Sequence, residues 1–164
     1  MKTRKTIRAC FAGAVSAALL FASLARAQQA QLTDAEIASV AVIANRVDIG
    51  YAELAQKKSK DPSILEFART MAKDHKGVID QAVALVTKLK VTPKDNAMSK
   101  SLNADAEKTK KELNAKSGAA FNKAYIDNEV AYHKAVISVV ESTLIPQSRN
   151  PQLKSLLQQV LPVL

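Results

Sequence analysis

Two similar stretches of sequence decide the fold: KSKDPSILEFARTMA at residues 58–72 and QSRNPQLKSLLQQVL at residues 147–161. Each contains Asp-Pro or Asn-Pro at the same place, followed by apolar residues at helical spacing. Asp and Asn are favoured N-caps and Pro is favoured in the first helical turn, so helices are predicted to begin at Pro62 and Pro151. A long apolar-striped stretch precedes each one. The chain therefore predicts two helical hairpins, which together make an antiparallel four-helix bundle.

Local signals predict the other helix ends, and no alternation typical of strands is present. Thr33 to Glu36 form a capping box, which begins a first helix over residues 34–60. The second helix is predicted over residues 62–90, and a linker containing Pro93 follows. A Lys- and Glu-rich helix over about residues 100–116 is expected to be a solvated accessory helix. The third bundle helix is predicted over residues 119–145, ending at Pro146, and the last one begins at Pro151. The predicted fold is all-α, with an extra short helix and a shortened last helix.

The first 27 residues are typical of a secretory signal peptide. Residues 1–8 are basic, residues 9–25 carry no charge, and Ala25-Arg26-Ala27 is a small-residue cleavage pattern. These features predict a signal over residues 1–27 and a mature helical domain over residues 28–164. An uncleaved N-terminal anchor is the alternative, because the apolar run is just short of a membrane-spanning helix.

Removal of the predicted signal peptide lowers the net charge of the chain. The whole chain has 24 Lys and Arg against 15 Asp and Glu, a net charge of +9; the mature part retains 19 basic and all 15 acidic residues, a net charge of +4. No clustered basic patch remains, so nucleic-acid binding is not expected. Cys10 leaves with the signal, and the mature chain has neither a disulfide nor a transmembrane span. The predicted location is the periplasm, either free or in association with the outer membrane.

Four ionisable residues fall on the apolar faces of the predicted helices. These are Asp48, His75, Glu129 and His133, and the two histidines are the only ones in the chain. Their distances from the two hairpin turns place them at similar heights in the bundle. Two imidazoles with one or two carboxylates suit a transition metal such as iron, manganese, zinc or copper. A buried network of ion pairs and hydrogen bonds that fixes the helix register is the alternative.

Several stretches resemble the DUF4142 family: AVIANRVDIGYAELAQKKSKDPSILEFARTMAKDH, KLKVTPKDN and GAAFNKAYIDNEVAYHKAVI, at residues 41–75, 88–96 and 118–137. Proteins of this family are exported, ferritin-like helical proteins of Gram-negative bacteria. The resemblance covers essentially the whole mature chain. It implies a ferritin-like bundle of the cell envelope whose biochemical role is not established. It also implies that the family's inward-facing acid is Asp48 and that its two mid-chain histidines are His75 and His133.

The chain departs from the ferritin-like pattern in two ways. It contains no Glu-x-x-His motif, so a di-iron oxidase is not expected. The repeat alignment also pairs Leu164 with His75, which suggests either that the given sequence is cut short at Leu164 or that this protein has lost one wall of the site. The exposed apolar groove that results would favour self-association or a partner helix.

Three functions stay open at this point. The leading one is a non-enzymatic exported bundle protein with a metal ion in its core. The second is a metal-dependent redox or stress-protection enzyme that uses the same four residues, and the third is a structural or interaction module. No phosphate loop, cofactor fingerprint or nucleophile–base pair supports a kinase, dehydrogenase or hydrolase.

Overall fold

The computed structural model describes residues 31–164, and every regular element in that part of the chain is a helix. The predicted signal peptide lies outside the described residues. None of the described helices is both long enough and apolar enough to cross a membrane. The five main helices are α1 (Asp34–Lys58), α2 (Pro62–Leu89), α3 (Ala97–Asn114), α4 (Gly118–Val139) and α5 (Pro151–Val160).

The predicted N-caps are confirmed. Thr33 and Glu36 form the capping box of α1, in which each side chain accepts a hydrogen bond from the other residue's backbone N–H. Asp61 and Asn150 cap α2 and α5 in the same way: each side chain accepts from the backbone N–H groups two and three residues later. The ψ angle is 121° at both caps. The two similar stretches of sequence therefore form the same turn.

Helix α1 is the central helix. It packs along α2 and also contacts α3 and α4. Helix α5 packs against α2 and against residues 140–147, which continue the helix α4 and are included below in the α4 segment. The buried residues form two apolar clusters, one near each end of α1. The first consists mainly of Tyr51, Ala52, Ala55, Ala68, Ala106, Leu113, Phe121 and Tyr125. The second consists of Ile37, Val40, Val140, Leu144, Leu153 and Leu157.

Helix α3 begins earlier and is less solvated than the sequence predicted. Asn96 caps it at Ala97, since its side chain accepts from the Ser99 N–H and the Ser99 hydroxyl accepts from the Asn96 N–H. One face of the helix is buried, with Ala106 and Leu113 at 3% exposure in the first apolar cluster. The expectation of a solvated accessory helix is wrong for that face, because its few apolar residues share one stripe.

The α4 segment does not stop at Pro146. It continues through a π-helical turn, Val140–Leu144, and a short α-helical turn, Ile145–Gln147. The Ile145 N–H donates to the Val140 carbonyl, five residues earlier. A proline within an α-helix clashes with the carbonyl four residues before it. The wider π turn just before Pro146 relieves this clash, and the helix continues one residue past the proline, to Gln147.

The first turn of α1 holds the beginning of α5. The two carboxylate oxygens of Asp34 accept hydrogen bonds from the backbone N–H groups of Arg149 (2.9 Å) and Asn150 (3.1 Å). The same end of α1 also holds the α2–α3 linker, where the Lys94 N–H donates to the Ala35 carbonyl. These contacts set the height of α5 relative to α1.

We expect Asp34→Ala to destabilise the protein by about 2 kcal/mol, because two backbone donors lose a charged acceptor. Urea unfolding followed by circular dichroism measures this change. Asp80→Ala is the matched control, since Asp80 forms only a surface ion pair with Lys76, and it should change stability by less than about 0.5 kcal/mol. Equal effects of the two substitutions would contradict the role given to Asp34.

Candidate metal centre

The structure brings the four sequence-predicted residues into one layer at the middle of the bundle. Asp48 comes from α1, His75 from α2, and Glu129 and His133 from α4. Both carboxylates and His75 are buried, and the His133 side chain is 17% exposed. One ligand atom from each of Asp48, His75 and His133 lies within 4.8 Å of the others. Their predicted inward orientation and their predicted common height are therefore confirmed.

The shortest distances in this layer join the two histidines and Asp48. The Nε2 atom of His75 lies 3.4 Å from the Nε2 atom of His133 and 3.4 Å from Oδ2 of Asp48. The Nδ1 atom of His133 lies 3.7 Å from the same oxygen of Asp48 and 3.8 Å from Oε2 of Glu129. Glu129 thus lies on the His133 side of the layer.

Asn45 fixes the tautomer of His75. The amide nitrogen of Asn45 donates to the Ala41 carbonyl (2.8 Å), which leaves the amide oxygen facing His75. That oxygen lies 2.7 Å from Nδ1 of His75, so Nδ1 carries the proton and Nε2 presents a lone pair. Sequence reasoning missed Asn45, although it lies three residues before Asp48 and therefore on the same face of α1.

His133 has the same tautomer for a different reason. Its Nδ1 atom lies 2.9 Å from the Glu129 backbone carbonyl. Because a carbonyl oxygen can only accept, Nδ1 carries the proton. The Nε2 lone pairs of the two histidines therefore face each other at 3.4 Å. That separation is the edge of a tetrahedron of ligands about 2.1 Å from a central ion, or about 3.4 Å.

The two carboxyl groups have no protein donor other than each other. Asp48 and Glu129 lie beside each other, and no other residue among 31–164 forms a hydrogen bond with their buried oxygens. Burial raises the pKa of Asp48, while the charges of His75 and His133 oppose that rise. Burial and the charge of Asp48 raise the pKa of Glu129 to about 9. A proton on Glu129 therefore satisfies Asp48 only in part.

Burial also keeps His75 neutral. It lowers the pKa of this imidazole more than the nearby Asp48 carboxylate raises it. The layer thus combines two imidazoles with two carboxyl groups whose only donor, apart from those imidazoles, is the proton on Glu129. Such a set is costly to bury alone and is suited to a bound cation.

Tyrosines surround this layer and belong to the packing. The Tyr132 hydroxyl donates to the Ala44 carbonyl at 2.9 Å, and the Tyr132 ring packs edge-on against Tyr51. The Tyr125 ring packs against Phe121 and Phe67. Burial raises the pKa of Tyr51, Tyr125 and Tyr132. All three hydroxyls therefore stay protonated at neutral pH.

The fold and the site define a class: an all-helical protein with a layer of two histidines and two carboxyl groups across its core. The chain belongs to the DUF4142 family, described as a domain of unknown function, whose family model matches residues 21–164. No curated protein and no solved structure matches the chain. The resemblance found in the sequence is therefore confirmed at the level of the family.

The stability of the metal-free protein should fall as the pH rises. Glu129 changes from a pKa near 4.5 in the unfolded chain to about 9 in the folded one, so its folded form favours the protonated acid. The stability associated with this group is fully present below pH 4.5 and is lost as the pH rises through 9. The loss at pH 7 is about 3 kcal/mol.

Glu129→Gln mimics the protonated acid and should remove most of this dependence. Urea unfolding of chelator-treated protein between pH 5 and pH 9 measures it, and we expect the variant to be about 3 kcal/mol more stable than the original at pH 7. Glu53→Gln is the control, because Glu53 is exposed on α1. The same pH dependence in both variants would contradict the buried position of Glu129.

Proposed function

We propose that this chain is an exported protein of the bacterial envelope that binds one divalent transition-metal ion in its helical core. His75 and His133 supply two nitrogen ligands, Asp48 supplies an oxygen ligand, and Glu129 lies beside them. The observation that carries the proposal is the pair of Nε2 lone pairs, which face each other at 3.4 Å with both Nδ1 protons committed elsewhere. A cation between them removes their repulsion.

The donor set narrows the choice of metal. Two imidazoles and a carboxylate are the ligands of many zinc and non-haem iron sites, and manganese and copper also accept them. No sulfur ligand takes part, which disfavours ions that prefer thiolates. Metal-binding histidines usually donate their second N–H to a carbonyl or carboxylate. Here Asn45 and the Glu129 carbonyl accept these protons, which supports the proposal.

A metal-dependent redox or stress-protection enzyme is the second candidate. It is favoured by access to the layer: the His133 side chain is 17% exposed, and both histidines line a cavity that is partly open to solvent. A three-ligand site leaves a coordination position for an exogenous molecule. Peroxide and superoxide consumption by the metal-loaded protein separates this candidate from simple binding.

We further propose that α1, α2, α4 and α5 form a ferritin-like antiparallel bundle, with α3 outside it. Support comes from the site itself, whose residues project inward from three of these helices. The contact between α5 and α2 also supports this arrangement. Self-association or a partner helix beside α5 stays a prediction, which sedimentation of the purified protein tests.

Metal binding should depend on the two histidines separately. We expect the purified protein to bind one equivalent of Zn²⁺ with a rise in melting temperature, and His75→Ala and His133→Ala each to abolish binding. Asn45→Ala should weaken binding by about 10–100-fold, because it releases the His75 ring. Calorimetric titration measures all of these effects.

Two aspartates provide a test variant and its matched control. Asp48→Asn removes the charge of a proposed ligand and should weaken metal binding. Asp80→Asn makes the same chemical change at an exposed position of α2 and should leave metal binding unchanged. Full binding by either histidine variant would refute the ligand set. An unchanged melting temperature of the original chain with Zn²⁺ would favour the register-fixing layer instead.

Export is tested by the mass of the mature protein. When it is expressed in a Gram-negative host, the protein from the periplasmic fraction should begin at Gln28, after the Ala25-Arg26-Ala27 pattern. Ala27→Phe places a large residue at the cleavage position and should leave the precursor uncut. Recovery of the full-length mass in the soluble cytoplasmic fraction alone would contradict export.

A further inference from the structure

An elongated cavity of about 290 Å³ runs along the helices beside the proposed metal site. All five helices contribute to its wall. Along α1 the wall extends from Ala38 to Tyr51, a length of about 20 Å at the helical rise per residue. The cavity is therefore a long slot parallel to the bundle axis.

The polarity of this slot changes from one end to the other. At the level of the metal site its wall includes His75, His133 and Tyr132. At the opposite end its wall includes Val86 and Leu153, the latter a member of the second apolar cluster. A molecule that fits this slot has an apolar body and one polar end.

The position of the two histidines connects the slot to the proposed ion. Both imidazoles are part of the cavity wall, whereas the fully buried Asp48 is not. With three protein ligands, the ion has a further coordination position. The slot is the space from which an exogenous ligand would reach that position.

We propose that the slot binds the alkyl chain of a straight-chain monocarboxylic acid, with its carboxylate at the histidine end as a further ligand of the ion. This inference rests on the proposed metal site. A cavity of about 150 Å³ with apolar walls holds benzene, so a volume about twice as large holds roughly twelve carbon atoms. A divalent ion with Asp48 carries one positive charge, which the carboxylate neutralises.

The chain-length dependence of binding tests the slot. Octanoate, decanoate and dodecanoate are titrated into the metal-free and the Co²⁺-loaded full chain by calorimetry. We expect saturable binding of one molecule per chain, with affinity rising about fourfold for each added methylene. Equal affinities for octanoate and dodecanoate, or binding that does not saturate, would overturn the proposal.

The visible spectrum of Co²⁺ tests where the carboxylate lies. We expect dodecanoate to change the spectrum of the cobalt-loaded protein, and dodecanol to leave it unchanged and to bind at least tenfold more weakly. Identical behaviour of the acid and the alcohol would overturn the assignment of the carboxylate. If Co²⁺ itself does not bind, the proposed metal site fails in that titration, and the metal-free series still decides whether the slot takes an alkyl chain.

Two alanines of α2 offer a matched pair of variants. Ala82 lines the slot, whereas Ala84 is exposed on the same helix. Ala82→Leu should weaken dodecanoate binding at least tenfold and keep Co²⁺ binding, and Ala84→Leu should change neither. Equal dodecanoate affinities of the two variants would overturn the proposal. If circular dichroism shows that Ala82→Leu is unfolded, Val139→Phe, which fills the slot from α4, replaces it.

Discussion

The constraint on which the structure depends is the burial of four ionisable side chains in one layer across an apolar core. Asp48, His75, Glu129 and His133 divide the buried residues into two apolar clusters. Burying such groups without partners costs several kcal/mol each. The layer therefore holds together only if three helices keep one relative height and rotation. A shift of one residue along a helix rotates a side chain by about 100° and separates these groups.

The ends of the helices supply that fixed height. Asp61 and Asn150 begin α2 and α5 with the same cap. The Asp34 carboxylate then ties the start of α5 to the start of α1. Because these contacts are made at the ends of the bundle, the middle is free to carry polar groups that contribute little to packing. A site held by helices whose relative positions are fixed in this way keeps its side chains in a defined geometry.

Much of this arrangement could be predicted from sequence because it depends on local rules. The Asp-Pro and Asn-Pro sequences predict where two helices begin. Helical spacing predicts that Asp48 and Glu129 lie on the inward faces of their helices. The rest depends on contacts between helices. The tautomer of His75 requires the Asn45 amide of a neighbouring helix, and the buried face of α3 exists only against α1 and α4. The π turn before Pro146 likewise reflects how the α4 segment packs at its end.

The polar layer has two explanations, a metal-binding site or a network that fixes the helix register, and its hydrogen bonding distinguishes between them. A polar layer that serves only to fix register is most stable when every group in it is paired. Here the carboxyl oxygens of Asp48 and Glu129 have no hydrogen-bond partner among residues 31–164 apart from each other, and the Nε2 atoms of two imidazoles face each other. Apolar residues at these positions would make a more stable bundle. An incompletely paired layer next to an apolar slot lowers the stability of the folded protein, and such a loss of stability is typical of binding sites. The arrangement therefore favours a ligand-binding role over a structural one.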